Sequence, residues 1–242
     1  MRFLTNTRFL LAYCLALTLT TVSLGLFVLR FAKNPHMGIV TARRINIVEP
    51  DGVVRLTISN RADFPSGWMR GKEYPRPDRT EAAGLLFMSE EGTEQGGFIW
   101  GASQQHDGSI QNHAHFSLDQ YEENQIFAID AGREGNDKFS QITIADQGDY
   151  PVEDKREAYA RIMALHPDHQ DAAWDRYFSA HPASDTKRMV LGRAKDGSVG
   201  IDLKDKNGKT RIQLLVAADG SPSLKFFDAS GNLAKDLNTN KR

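Results

Sequence analysis

Short segments in which apolar and polar residues alternate recur along this sequence, and Gly-containing turns separate them. The two clearest copies are RINIVEPDGVVRLTIS, starting at Arg44, and GIDLKDKNGKTRIQLLV, starting at Gly200. Alternation with a period of two indicates β-strands, and Asp-Gly or Asn-Gly supplies the positive φ angle that tight hairpin turns need. Looser copies begin at residues 84, 115 and 223, and a sixth would join QITIADQG to RMVLG across an insertion. The chain is therefore predicted to form a run of antiparallel β-hairpins.

One face of these predicted strands is apolar. Leu56 and Ile58 share a face, as do Ile201 and Leu203, whereas Thr57 points the other way. We predict that the apolar face is buried and that the polar face meets solvent or a polar lumen. An open meander leaves two edges prone to aggregation. The predicted fold class is accordingly mainly β, with an N-terminal transmembrane helix, a hairpin-repeat meander closed as a barrel, sandwich or propeller-like ring, and a small helical insertion.

The N-terminal segment is uncharged and apolar over residues 9–29, FLLAYCLALTLTTVSLGLFVL. A helix of about 20 residues is needed to cross the hydrocarbon core of a bilayer. The alternative is a cleaved signal peptide, whose apolar region is usually about 7 to 15 residues long and ends in small residues. The run ends instead in Val28, Leu29 and Arg30. We predict that residues 9–31 form a transmembrane helix, so that the lipid bilayer is one partner of the chain.

Composition and motifs divide the rest of the chain. Pro151 is placed as a first-turn proline, and Tyr159, Ile162 and Met163 form an apolar stripe, which together predict a helical insertion. The predicted organisation is an N-terminal tail 1–8, a transmembrane helix 9–31, a linker 32–42, a β-hairpin-repeat domain 43–237 with a helical insertion 151–181, and a C-terminal tail 238–242.

The orientation of the predicted anchor rests on opposing signals. Arg2 and Arg8 precede the span, but more basic residues follow it, which favours a cytoplasmic domain. A short tail before a signal-anchor commonly stays inside, however, and the absence of cysteine after Cys14 fits an oxidising compartment. We predict a single-pass protein of the bacterial inner membrane with its domain in the periplasm.

Charge and motifs exclude several classes of function. The chain has 30 basic and 31 acidic residues, a net charge of -1, so no global field attracts nucleic acid. Its single cysteine, Cys14, lies in the apolar run and rules out disulfides and cysteine-based metal sites in the domain. The sequence has no Walker loop, no helix-opening GxGxxG and no G-x-S-x-G. We therefore predict no cofactor, no catalytic residue and no nucleic-acid partner, and favour a role without catalysis.

The loop WMRGKEYPRP combines aromatic and basic residues, the composition of interaction hot spots. An exposed loop would present a binding patch, whereas Trp68 folded back onto the sheet would cap the core. The predicted patch consists of Trp68, Arg70, Lys72, Tyr74 and Arg76.

Histidines provide the candidate ligands for a transition metal. His113 and His115 are two apart on a predicted strand and therefore share a face, with His106 upstream. Neutral imidazoles placed in this way can bind a transition metal. The competing interpretation is that QQHDGSIQNHAH is a polar turn that enters an exposed strand face.

The string RRINIVEPDGVVRLTISNRADFPSG, with GKEYPRPDRTEAAGLLFMSEEGTEQGG and SLDQY, resembles a family of uncharacterised bacterial membrane-anchored β-repeat proteins. The resemblance covers residues 43–121. It implies a bacterial source but no activity, substrate or catalytic residue.

These observations favour a membrane-anchored binding or scaffold module that recognises a protein or another cell-envelope component. The alternative function is a metal-dependent hydrolase with its site on the β domain, built from His106, His113, His115 and acidic turn residues. A structural subunit of a larger membrane complex is a third hypothesis.

Overall fold

The computed structural model of the chain describes residues 7–33, 38–76, 79, 82–181 and 185–237, which fall into two compact units. The first unit, Met1–Ala42, contains helix α1 (Thr7–Lys33). This helix is long and apolar enough over Thr7–Arg30 to span a membrane, a property that it shares with signal sequences. The predicted C-terminal tail 238–242, most of the N-terminal tail and part of the linker lie outside the described residues.

The second unit, Arg43–Arg242, is mainly β, with two helices between its ninth and tenth strands. Its strands are β1 (Arg44–Val48), β2 (Val54–Ser59), β3 (Gly67–Met69), β4 (Lys72–Tyr74), β5 (Ala83–Met88), β6 (Glu94–Gln104), β7 (Ile110–Asp119), β8 (Gln125–Glu134), β9 (Asp137–Asp146), β10 (Thr186–Arg193), β11 (Val199–Lys204), β12 (Thr210–Val216), β13 (Pro222–Phe227) and β14 (Leu233–Asp236). The helices are α2 (Val152–Met163) and α3 (Pro167–Ala180).

Twelve of these strands form one antiparallel sheet in the order in which they occur in the chain. The short hairpin β3–β4 lies outside that order, in the loop between β2 and β5. The predicted meander is therefore confirmed, and β9 pairs with β10 across the helical insertion as expected. Among the described strands no ring closure is detected, because β1 and β14 each pair on one side. The closure remains a prediction.

One turn geometry recurs between consecutive strands. In the turn after β11, the amide of Asp205 donates to the carbonyl of Lys209 and the amide of Gly208 donates to the carbonyl of Asp205, both at 2.9 Å. Gly208 has a φ of +76°, and the other turns of this kind place Gly at the same position except the turn after β7. There Glu123 occupies the equivalent position, and the positive φ, +53°, falls on the preceding residue, Glu122. Three-residue turns of this kind favour a bulge, and register shifts occur at the end of the strand before several of them.

An arginine near the turn ties neighbouring strands together in three places. The Nε atoms of Arg55, Arg188 and Arg211 donate to a main-chain carbonyl on the next strand, at 3.2, 3.2 and 3.0 Å. Arg55 and Arg211 occupy equivalent places in the two clearest sequence repeats. The repeat thus extends to a side-chain contact as well as to the backbone.

The strand register collects the large apolar side chains into two rows on one face, the apolar face. The first row contains Ile45, Ile58, Leu85, Phe98, Phe116, Ile129, Ile142, Leu191, Ile201, Leu214 and Leu224, one from each strand from β1 to β13 in the sheet. The second row contains Ile47, Leu56, Phe87, Leu118, Phe127, Ile144, Met189, Leu203, Ile212 and Phe226, with Gly96 between Phe87 and Leu118.

The prediction that the apolar face is buried is wrong for the single chain. Not one of the side chains in the two rows is buried, and Ile58 and Leu214 are 41% and 49% exposed. The opposite, polar face carries the buried positions instead, including Thr57 at 0% and Leu86 at 2% exposure. The physical reason is that the chain's own hairpin β3–β4 and helix α2 lie over part of the polar face.

The helices α2 and α3 pack on each other through Ala158, Ile162 and Tyr177, with Ala173 and Trp174 against them. Pro167 occupies the first turn of α3, where its missing amide is tolerated. At the start of α2, the amide of Val152 donates to the carbonyl of Glu122 at 2.8 Å. The insertion is therefore held against the turn that joins β7 to β8.

Candidate functional site

A cavity of about 300 Å³ opens on the polar face, between the hairpin β3–β4, helix α2 and strands β6–β8. It is lined by aromatic side chains, three arginines, three carboxylates and two imidazoles. Its lining includes Trp68, Tyr74, Arg76, Arg79, Glu94, His113, His115, Ser117, Asp119, Glu123 and Arg156. Because these residues come from distant parts of the sequence, only the tertiary fold creates the cavity.

The hairpin β3–β4 forms one wall because its tip is fixed to the sheet. The amide of Arg70 donates to Thr93 Oγ1 at 3.0 Å, and the amide of Gly71 donates to the carbonyl of Gly92 at 3.2 Å. Arg70 has a φ of +47°, which lets the two-residue tip reverse direction. The loop that carries the predicted patch therefore contains a second small sheet, laid over the large one.

The predicted binding patch is divided by this arrangement. Trp68, Tyr74 and Arg76 line the cavity. Arg70 instead forms a bidentate ion pair with Glu122 on the turn after β7, and Lys72 is exposed. The aromatic residues thus face a pocket, and the five residues do not form a single outward surface.

Tyr74 meets helix α2 at the rim. The guanidinium of Arg156 lies 3.7 Å from the centroid of the Tyr74 ring and also donates to its hydroxyl. Cation–π contact of this kind stabilises the packing of a loop on a helix. Burial raises the pKa of the Tyr74 hydroxyl, so the ring stays neutral and keeps its donor.

The floor of the cavity contains buried acidic groups. Arg79 forms an ion pair with Glu94, and their side chains are only 9% and 13% exposed. Burial, with the nearby charge of Glu94, raises the pKa of Asp119 to about 7, against the opposing effect of Arg79 and Arg76. Burial also raises the pKa of Glu123.

One oxygen of each of these three carboxyl groups has no hydrogen-bond partner among the described residues: Glu94 Oε2, Asp119 Oδ1 and Glu123 Oε1. Glu123 is 4% exposed, and its other oxygen accepts from the amide of Asn124. Leaving a buried polar atom unsatisfied costs about 1 to 3 kcal/mol. Three such atoms on one cavity therefore mark a place where hydrogen-bond acceptors are held ready at a cost in stability.

The two predicted histidines of β7 lie on the polar face, at the edge of the same cavity. His115 Nδ1 is 2.6 Å from Asp130 Oδ1, and its Nε2 is 3.0 Å from the side-chain nitrogen of Gln125. His113 Nε2 is 3.6 Å from the same oxygen of Asp130. One ligand atom from each of these three residues lies within 4.8 Å of the others.

His106 takes no part in this cluster, which contains only His113, His115 and Asp130. It lies in the turn between β6 and β7, where the amide of Gln105 donates to the carbonyl of Ser109. The structure supplies Asp130 as a third group because His115 and Asp130 are directly paired across β7 and β8.

No protein-family model matches the chain, and no curated protein matches it significantly. The site must therefore be interpreted from its own geometry.

Several residues of the cavity and of the histidine cluster were not singled out from the sequence, among them Arg79, Asp130 and Arg156. Asp119 and Asp130 follow the period-two alternation, since both share the polar face with His115. That alternation was a usable signal once the strand register was known. Arg79 and Arg156 had no such signal, because a loop and a helix place them.

Proposed function

We propose that this chain is a membrane-anchored binding module whose cavity takes a ligand rich in hydrogen-bond donors, such as the hydroxyl or ammonium groups of a cell-envelope component. The observation that carries the proposal is the set of three buried carboxyl oxygens without partners on one cavity. Buried acceptors are almost always satisfied in native proteins. A ligand that donates to them would remove their cost.

The aromatic wall supports the same class of ligand. Trp68 and Tyr74 present ring surface opposite the polar floor, and pockets that combine apolar walls with a few fixed polar groups are typical of small-molecule sites. The membrane anchor would restrict the module's search to the surface of the bilayer.

The test is binding of two probes to the full-length chain in detergent, by isothermal titration calorimetry. N,N′-diacetylchitobiose offers neutral hydroxyls and amides, and spermidine offers ammonium groups, so the pair separates the two kinds of donor. Glu123→Met removes the buried acceptor, and Glu90→Met, on an exposed side chain of the turn after β5, is the matched control.

We expect one probe to bind with a dissociation constant below about 1 mM, and Glu123→Met to weaken it at least about tenfold, or about 1.4 kcal/mol. The control should bind as the wild type does. Absence of binding by both probes, or equal binding by all three proteins, would count against the cavity as the ligand site.

A metal-dependent hydrolase is the second candidate, and the cluster of His113, His115 and Asp130 favours it. Two imidazoles and a carboxylate with an open fourth position are a common arrangement for catalytic zinc, where the ion activates a bound water. Binding would require His115 to release Gln125 or Asp130, since both ring nitrogens are already engaged.

Zinc titration of the full-length chain tests this candidate, with bound metal measured by mass spectrometry. One equivalent of zinc that is lost in His115→Ala and retained in His106→Ala would support the site. A preparation that binds no zinc, or loses it equally in both variants, would remove the hydrolase from consideration.

A further inference from the structure

The apolar face has the size of a protein interface. Twelve strands about 4.8 Å apart, each contributing about 5 to 6 residues that rise about 3.4 Å, span about 1,000 Å². Monomeric soluble proteins rarely expose a contiguous apolar patch beyond a few hundred Å². Two such faces in contact would bury about 2,000 Å², at the upper end of the 1,200 to 2,000 Å² of a standard stable interface.

The face is uniform as well as large. From β1 to β13, the first row contains only Ile, Leu and Phe, and the second adds one Met and one Gly. Within the two rows the one charged residue is Lys235 of β14, which pairs with Phe226, and Arg193 lies on the same face outside the rows, two residues beyond Leu191. Interfaces have cores depleted of charge, so the rows have the composition of the centre of an interface.

Aromatic residues concentrate on the strands β5–β8 of this face. Phe98 and Trp100 have ring centroids 5.2 Å apart and are 39% and 45% exposed. Phe116 contacts Phe87 and Phe127 edge to face, at 6.3 and 6.4 Å. Large aromatic side chains of this kind contribute most of the binding energy at interfaces when a partner desolvates them.

We infer that the occupant of the apolar face is the apolar face of a second copy of this chain, so that two sheets stack as the layers of a β-sandwich. The inner faces of sandwiches are alternating apolar rows of this pattern, packed about 10 Å apart. A twofold axis lets one surface serve as both partners. The sandwich predicted from the sequence would then form between chains instead of within one.

The composition favours a second copy over a lipid surface. Segments that lie on membranes combine an apolar face with many Lys and Arg residues, whereas both rows of this face lack them as far as β13. A second copy is also always at hand, because anchored chains share one plane and their effective concentration is raised.

The test is the mass of the full-length chain in detergent, measured by multi-angle light scattering with the detergent contribution subtracted. The expected protein mass is about twice the 27.0 kDa of one chain. Ile129→Lys places a charge in the first row, and Tyr159→Lys places the same charge on an apolar side chain of α2 that is 57% exposed. Circular dichroism checks that both variants keep their strand signal.

We expect Ile129→Lys to shift the mass to that of one chain and Tyr159→Lys to leave it doubled. If Ile129→Lys does not fold, the wild type provides a second measurement, since the melting temperature of a dimer rises with protein concentration. A monomeric wild type, a dimer that persists in folded Ile129→Lys, or a melting temperature independent of concentration would overturn the inference. A monomer that binds protein-free liposomes through Ile129 would assign the face to lipid instead.

Discussion

Asp119→Asn should change the stability of the protein by an amount that depends on pH. Burial raises the pKa of Asp119 to about 7 in the folded chain, from a reference value of 3.8. Between these values the folded state binds more protons than the unfolded state, so the free energy of unfolding falls as pH rises. At about 1.4 kcal/mol per pH unit, this difference in pKa lowers the free energy of unfolding by about 4 kcal/mol between about pH 4 and pH 7.

Asparagine resembles the protonated carboxyl group in shape and cannot ionise. Asp119→Asn should therefore match the wild type near pH 4 and exceed its free energy of unfolding by up to about 4 kcal/mol at pH 8. The assay is urea denaturation of the full-length chain in detergent, followed by circular dichroism, at one-unit steps from pH 4 to pH 8. The difference between the two proteins isolates Asp119 from the other groups that titrate.

Asp149→Asn, an exposed aspartate before α2, is the matched control and should show no such trend. If the difference between Asp119→Asn and the wild type is the same at pH 4 and pH 8, the carboxyl group does not titrate between them. That result would refute the assignment of Asp119 as a carboxyl group whose pKa is raised by burial in the floor of the cavity.

Three further changes test the packing around the site and the scaffold. Arg79→Met should lower the free energy of unfolding by about 3 to 5 kcal/mol in urea denaturation, because Glu94 is left buried and unpaired. The double variant with Glu94→Met should recover most of this loss. A free energy of unfolding for Arg79→Met within about 1 kcal/mol of the wild type would show that the ion pair is solvated. Ile162→Ala should lower the free energy of unfolding by about 2 to 5 kcal/mol and reduce the helical circular dichroism signal. The control Tyr159→Ala, on an exposed side chain, should change neither. Gly220→Ala should lower the free energy of unfolding by about 1 to 2 kcal/mol through its φ of +88° alone, because the added Cβ meets no atom within 4 Å. An unchanged melting temperature would contradict the requirement for glycine in these turns.

Prediction from the sequence succeeded where the determining interactions are local. The alternation of Leu56, Thr57 and Ile58 specifies a strand and its two faces, and Asp51-Gly52 specifies the turn before it. The apolar run at the N-terminus likewise specifies α1 by length and composition. His113 and His115 were brought to one face for the same reason, since residues two apart on a strand project together.

The same reasoning failed on which face is buried. Alternation distinguishes an apolar face from a polar one, but it does not specify where the hairpin β3–β4 and helix α2 pack. Both lie over the polar face at the cavity, and in the single chain Thr57 is buried whereas Ile58 is exposed. Alternation therefore determines which residues share a face, and tertiary packing determines which face is covered.

The sequence by itself determined the strands of the large sheet, the turns between them and the apolar N-terminal helix, because each depends on residues a few positions apart. Only the tertiary structure decided that Arg79, Asp119 and Arg156 meet the predicted aromatic and histidine residues around one cavity, and that Asp130 lies beside the two histidines. The register across strands and the placement of the loop and helices bring them together. Contacts between residues so distant in the chain depend on the free energy of the whole fold, which no local pattern records.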